Sequence, residues 1–482
     1  MSLRTKRQWR IVMATALTAC AAQGCKVGPD YQQPVTSTPG AYASTLPTTF
    51  PTTQAAADTG EVRQLARWWE RFGDAQLSSL VLRSAEGNLD LKLAQLRWRE
   101  ARAQRGISAS AGQPQVGAGA GYTRSQQSET IVSGPQLGSA QRDFWSAGFD
   151  AAWEMDIFGG QKRNVEAADA QIAATIENYR DVWVSLQAEV ARNYVELRSA
   201  QARLAVVQAN IEGQQQLLDL TNAKLRAGLA TEVDQARIIA QVASTQAQLP
   251  AIESAIRGSL YRLAVLLGKV PAELDQELQT QKGIPVPPPT IPVGLPGELL
   301  QRRPDIRRAE RELAAATALV GEATADLYPK FSLLGNVGLQ SGKLGNWWQA
   351  DSAFWSIGPQ VNWSLLNGGR VRSAIEVQNV RKDQAVIRYR QTVLLSIEEV
   401  DNALVRYANE QRRRESLQQA VTANRRAVVL ARDLYARGLS DFITVLDAQR
   451  ALYLNEELLV LSEEFVTTNA ISIYKALGGG WL

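Results

Sequence analysis

Between Gln161 and Ala227 the chain has no proline and one glycine, Gly213. Apolar residues recur there at Trp183, Leu186, Val190, Tyr194 and Leu197, a spacing that lines one face of an α-helix. At the helical rise these 67 residues make a rod of roughly 100 Å, far beyond the three or four turns usual in a globular domain. Such a rod needs packing partners along its whole length, which excludes an ordinary small domain.

A second stretch of the same kind runs from Arg370 to Arg437, free of glycine and proline, with Val393, Ile397, Val400, Leu404 and Tyr407 at alternating four- and three-residue steps. The flanks of the two rods also correspond. Trp145-Ser-Ala-Gly-Phe-Asp-Ala-Ala-Trp153 lies 210 positions before Trp355-Ser-Ile-Gly-Pro-Gln-Val-Asn-Trp363. Gly159-Gly160 precedes the first rod as Gly368-Gly369 precedes the second, and Gly228-Leu229 follows the first as Gly438-Leu439 follows the second. The period is that of a tandem duplication rather than a solenoid module. The expected halves are residues 67–268 and 297–482, with helices at 161–227 and 231–267 in one and 370–437 and 441–477 in the other. Residues 269–296 between them hold seven prolines, a linker composition.

The formal net charge of +4 is misleading, because Arg4, Lys6, Arg7 and Arg10 all lie in the first ten residues. They precede an uncharged run, Ile11 to Ala19, too short to span a bilayer, so residues 1–24 read as a secretory signal peptide. A processed chain is nearly neutral, and the charge gives no ground for nucleic-acid binding. The only cysteines, Cys20 and Cys25, fall at the processing region, where their use is lipidation rather than a disulfide or a thiol site. The segment that follows, to about residue 66, is rich in proline, threonine and serine and reads as an extended arm.

Before each rod the period changes from 3.6 to 2. Trp145, Ala147, Phe149, Ala151, Trp153, Met155 and Ile157 alternate with Ser146, Gly148, Asp150, Ala152, Glu154 and Asp156. Trp355, Ile357, Val361, Trp363 and Leu365 alternate likewise with polar residues, interrupted by Pro359. Val116 to Tyr122 and Phe331 to Leu339 are weaker hairpin partners, giving strand hairpins at about 115–157 and 330–366. Periodicity alone fits a soluble sandwich and a membrane sheet equally. The signal peptide and the tryptophan ends favour the outer membrane, with Asp150, Glu154 and Asp156 on the side away from lipid, toward a lumen. Four strands do not close a barrel around a pore, so several chains would have to contribute.

No histidine is present, and no cysteine outside the processing region, which removes the commonest general base, metal ligand and thiol nucleophile. The paired glycines lack phosphate-loop context, and Arg302-Arg303-Pro304-Asp305 reads as a helix start. No catalytic residue, cofactor or metal is expected.

Four separated motifs carry a family resemblance: Cys25-Lys-Val-Gly-Pro-Asp-Tyr31, Trp68-Trp-Glu-Arg-Phe-Gly-Asp74, Leu300-Gln-Arg-Arg-Pro-Asp-Ile306, and the run from Tyr435 to Arg450. In this order they resemble the TolC-like outer membrane factors of bacterial efflux pumps, in the NodT-type lipoprotein branch. The resemblance implies a mixed α and β membrane protein: a homotrimeric 12-stranded β-barrel, four strands per chain, continuous with a long periplasmic α-helical barrel. It implies a passive exit duct for small molecules, fed by an inner-membrane transporter through a periplasmic adaptor, and anchored in outer membrane lipid. It points to Cys25 as the lipidated residue, with Cys20 as the alternative, and to a periplasmic gate at Tyr435, Ile443, Asp447 and Arg450. The competing readings are the outer component of a type I protein secretion system and a lipid-anchored periplasmic scaffold or adaptor without a barrel.

Overall fold

The computed structural model describes residues 26–34, 38–43, 65–126, 141–294 and 296–481. The two cysteines and the segment expected to be a signal peptide lie outside the described residues. In chain order the main elements are α1 (Ala75–Gly87), α2 (Leu89–Ser110), β1 (Gln115–Ser125), β2 (Arg142–Met155), α3 (Gly160–Arg226), α4 (Glu232–Gln246), α5 (Leu249–Leu266), α6 (Pro304–Ala325), β3 (Lys330–Ser341), β4 (Ala353–Asn362), α7 (Arg370–Ala436) and α8 (Phe442–Ala476). The two rods, α3 and α7, are each continuous over 67 residues. The run expected over 231–267 is instead two helices, α4 and α5. Pro250, at the start of α5, has no N–H to continue the ladder, and the chain re-enters a helix at Leu249.

The chain forms two compact units. One comprises Met1–Val35, Arg97–Thr175 and Ala309–Tyr389, and contains the sheet. Its strands follow the order β1-β2-β3-β4, antiparallel throughout, so the hairpins of the two repeats meet at β2 and β3. Trp363 and Leu365, expected within the last strand, lie beyond the end of β4. The Trp363 indole instead donates to Leu327 O at 3.0 Å, two residues past the end of α6. Trp153 makes the equivalent bond to Gly112 O, two residues past the end of α2, also at 3.0 Å. Pro359 is tolerated in β4 because that strand is an edge.

The second unit comprises Thr36–Leu96, Ile176–Arg308 and Arg390–Leu482. Helix α1 is started by Asp74, whose Oδ1 accepts from the Gln76 and Leu77 amides, while its Oδ2 accepts from the buried Tyr194 hydroxyl at 2.7 Å. Trp68 stacks on Tyr474, ring centroids 5.4 Å apart, and Phe72 meets the same two rings edge-on. The segment expected as a linker is packed in place. Leu274, Leu278 and Ile291 are buried, Arg198 donates to Thr280 O at 2.8 Å, and Thr467 donates to Pro285 O at 2.9 Å. Proline restricts the free chain as well as the folded one, so holding such a segment against a helix costs little entropy.

Both helical hairpins of this unit turn by the same device. Gly228 (φ +75°) and Gly438 (φ +79°) adopt the left-handed conformation after α3 and α7, and the following Leu229 and Leu439 amides reach back to Lys224 O and Leu434 O. The next helix is then capped, by Thr231 paired with Asp234 before α4 and by Asp441 before α8.

Candidate functional site

The first motif, Val27 to Tyr31, is clamped on the start of α3. The Arg163 guanidinium is buried and donates to Val27 O, Gly28 O and Asp30 Oδ1, the last at 2.7 Å, with its remaining edge on Glu166. Gly28 has φ +83°, and a methyl group there would come within 2.4 Å of Gly321 Cα on α6, so both the turn and the close approach require glycine. The Tyr31 hydroxyl donates to Glu310 at 2.9 Å. Val27 N donates to Phe158 O, three residues beyond β2, so the arm is pinned where the strands give way to helix.

The sheet register determines which residues share a face, because directly paired antiparallel residues point the same way. One face carries Val116, Ala118, Ala120 and Tyr122 of β1 and Trp145, Ala147, Phe149, Ala151, Trp153 and Met155 of β2. It continues through Phe331, Leu333, Gly335, Val337 and Leu339 of β3 and Ala353, Trp355, Ile357, Pro359 and Val361 of β4. No charged side chain interrupts it until Arg124 and Asp143, which face each other at the loop end. The opposite face carries glycines with Ser146, Asp150, Glu154, Ser332, Asn336, Gln340, Ser356, Gln360 and Asn362, among which stand the apolar Phe144, Leu334 and Phe354.

Asp150 is exposed on that polar face, between Gly117 and Asn336. Glu154 lies on it four residues nearer the helices, opposite Ser332. Asp156 has a different task. It lies past the end of β2, and its Oδ2 accepts from the Lys162 amide at 2.8 Å, satisfying one of the free N–H groups of the first turn of α3. Glu154, Asp156, Glu322, Asp326 and Lys330 line a cavity of about 370 Å³ in this unit.

At the hairpin turns, the residues read as a gate divide into two sets. Tyr435 is buried in a cluster with Leu217, Ile238, Val242, Ala431, Phe442, Val445 and Leu446, drawn from α3, α4, α7 and α8. Lys224 lies 4.0 Å from its ring and donates to its carbonyl oxygen, and burial raises the pKa of its phenol. Ile443, Asp447 and Arg450 are exposed, at four- and three-residue steps along the free face of α8. Among the described residues no bond joins Asp447 to Arg450; the Arg450 Nε donates to Gln241 at 2.8 Å. The structure therefore brings three of the four residues to one surface and places Tyr435 beneath it.

Arg302-Arg303-Pro304-Asp305 starts α6 with proline at its first position, and its arginine is fully engaged. Arg303 makes a two-pronged pair with Asp305, donates to Glu399 on α7 at 2.8 Å, and donates to Ala476 O at the end of α8 at 2.7 Å. Burial opposes the charge, but the two carboxylates outweigh it and hold the guanidinium above its usual pKa. This is a clamp between helices with no free edge for an anion.

The geometry is thus a sheet with one apolar and one polar face in one unit, and helical hairpins of uncommon length in the other. The family model described as outer membrane efflux protein matches residues 80–269 and 295–479, which are the two repeats. The chain belongs to the outer membrane efflux protein family. It is 30% identical to the cation efflux system protein CusC of Escherichia coli O6:H1 (strain CFT073) over 475 residues, covering 96% of this chain and 97% of that one. It is 29% identical to nodulation protein T of Rhizobium leguminosarum bv. trifolii over 464 residues, covering 95% of both. Among solved structures, the outer-membrane channel OprN superposes with a TM-score of 0.85 at 35% identity, covering 95% of this chain and all of that one. This outer membrane efflux protein therefore acts in efflux at the outer membrane, and its relatives are channel proteins rather than enzymes.

Sequence reasoning missed the Arg163 clamp, the Asp156 cap and the burial of Tyr435. The clamp and the burial of Tyr435 depend on contacts between segments distant in sequence. Only the Asp156 role left a local trace, a carboxylate a few residues before a long helix.

Proposed function

We propose that three copies of this chain close their four-stranded sheets into one 12-stranded barrel in the outer membrane, continued into the periplasm by a helical barrel. The assembly is the passive exit duct of a tripartite efflux system, taking small molecules from an inner-membrane transporter through a periplasmic adaptor. The observation that carries this reading is the register. Four strands share one apolar face and one polar face, and within the chain β1 and β4 each leave an edge unpaired. In hydrocarbon an open edge leaves every second backbone group without a partner, so a sheet of this kind needs neighbouring copies.

The dimensions agree with a bilayer. From Trp145 to Trp153 is eight residues, roughly 27 Å along the strand and about 20 Å along the normal once tilted by the usual 40° or so, close to the apolar band of an outer-membrane barrel. Tyr122 and Trp145, 4.3 Å apart, mark one end of the band, and Trp153 marks the other. The helices also leave seams for neighbours. Leu89, Leu93, Leu96 and Ile107 on α2, and Val380, Ile387 and Leu394 on α7, are exposed apolar residues at heptad steps, the pattern of a coiled-coil contact that the single chain leaves open.

In this reading Cys25 is the lipidated residue. Its neighbour Lys26 pairs with Glu166 at 3.0 Å and Val27 is fixed to Phe158, beside the end of β2, which supports an anchor at the membrane surface. The names of relatives, among them a toluene efflux pump protein and a solvent efflux pump protein of Pseudomonas putida, support small molecules rather than proteins as cargo. Purified protein that migrates as a heat-sensitive trimer on a gel and forms ion-conducting channels in planar bilayers is the expected result. A heat-insensitive monomer without conductance would overturn the proposal.

A further inference from the structure

On the polar face of the sheet, glycines, an aromatic ring and a carboxylate come together. Register aligns Gly119, Gly148, Gly338 and Phe354 in a single row across β1 to β4. The next row toward the helices is Gly117, Asp150, Asn336 and Ser356. Four glycines therefore sink the surface into a trough that ends at a phenyl ring on one side and has a carboxylate at its border. Two of the glycines are required by the backbone. A methyl group on Gly148 would lie 2.5 Å from Val337 O, and one on Gly338 would lie 2.3 Å from Ala147 O and 3.0 Å from Phe354 Cε1. The Phe354 ring thus lies against the trough wall at Gly338.

Phe354 is, with Phe144 and Leu334, one of the few large apolar side chains on this face, and it alone lies against the glycine row. Asp150 is exposed, and among the described residues no hydrogen bond or ion pair engages it. Glu154, by contrast, shares its end of the face with Lys330. Backbones carrying Phe354 and Asp150 are two strand spacings and one pleat repeat apart, on the order of 12 Å, less the reach of both side chains.

We propose that this trough is a transient binding site for amphiphilic organic cations on their way through the channel. The aromatic or apolar part of the solute lies over the glycines against Phe354, and the positive nitrogen is held near Asp150. A carboxylate in a water-filled passage with low-dielectric walls concentrates cations, and an aromatic ring attracts both flat apolar groups and the positive charge of a quaternary nitrogen. The site is shallow and open, so a solute is drawn in without being retained. The inference rests on the reading of the polar face as the wall of the pore.

The test uses the full-length trimer in planar bilayers, with benzyltrimethylammonium and tetramethylammonium added on the side of the strand loops. The two ions share a charge and differ by the ring. The benzyl compound is expected to block wild type at about tenfold lower concentration than tetramethylammonium, as an aromatic and cation–π contact allows. F354S and F354L should bring that ratio to within about twofold, whereas F354Y, which keeps the ring, should preserve it. D150N should weaken block by both ions alike. Equal block by the two ions in wild type, or a ratio unchanged in F354S and F354L, would overturn the site. The underlying reading is tested separately in N336C. A fall in conductance on adding a charged, membrane-impermeant methanethiosulfonate shows that the face lines the pore; no modification would remove the pore-wall reading and the binding site with it.

Discussion

The Arg303 guanidinium of the Arg-Arg-Pro-Asp motif donates to the Glu399 carboxylate at 2.8 Å, joining the start of α6 to the middle of α7. The same side chain closes the end of α8 through Ala476 O. One buried cation thus ties three helices of the second repeat, and its partners leave it no capacity for a ligand. Removing it leaves Asp305 with only the Ile306 amide and takes the side-chain donor from Ala476 O. R303A should therefore destabilise the helical unit by roughly 3–5 kcal/mol, the usual consequence of breaking a buried pair, and R303K by less, because lysine keeps the charge although it cannot make the two-pronged bond. Thermal unfolding of the purified variants checks this, and the expected order of stability is wild type, R303K, R303A.

Glu464 on α8 titrates above the usual carboxylate range, because burial disfavours its charge and Glu196 of α3 adds like charge, with Arg203 only partly compensating. Its folded pKa is raised, so the folded state holds the proton more tightly than the unfolded state. Ionisation therefore costs stability above the folded pKa, and that cost disappears below the unfolded pKa, where both states are protonated. E464Q should be more stable than wild type at pH 8, with the difference shrinking to nothing as the pH falls below about 4. Unfolding midpoints across that range measure it, and a difference independent of pH would contradict the assignment.

Much of the architecture is legible in the sequence because long helices and membrane strands follow strict periodicities. The absence of proline and glycine sets the limits of α3 and α7, and the alternation from Trp145 to Met155 alone orders one face of the sheet. Pro250 is the local mark of the break before α5, which the reading of one helix over 231–267 passes over. The site was less legible. Asp150 followed from alternation, and the same alternation puts Phe354 on the face opposite Trp355. Its neighbour there, Gly338, is identified only by register. Tyr435 looks like any tip residue until Leu217 and Ile238, two hundred residues away, are seen to enclose it.

The exposed α8 residues Ile443, Asp447 and Arg450 form the surface proposed to narrow the periplasmic end. Among the described residues Asp447 and Arg450 do not pair within the chain, so in the proposed assembly their charges are left for neighbouring copies. Removing both charges in D447A/R450A should raise single-channel conductance without loss of the trimer. Y435F should not reproduce this, since Tyr435 is packed in the core beneath. Unchanged conductance in the double variant would refute the gate.

Lipid attachment at Cys25 predicts that C25A loses incorporation of labelled palmitate while C20A retains it. Labelling that persists in C25A and disappears in C20A would assign the anchor to the other cysteine.

The central claim is that the two faces of one sheet meet two different media, lipid and the water of a pore. It is tested most directly by placing single cysteines along β2, at positions 149 to 154, in the assembled protein in membranes. Each is exposed to a charged thiol reagent that enters only through water. Reaction at positions 150, 152 and 154, alternating with protection at 149, 151 and 153, is the result this structure predicts. Uniform reaction along the strand, or protection of the even positions, would contradict it.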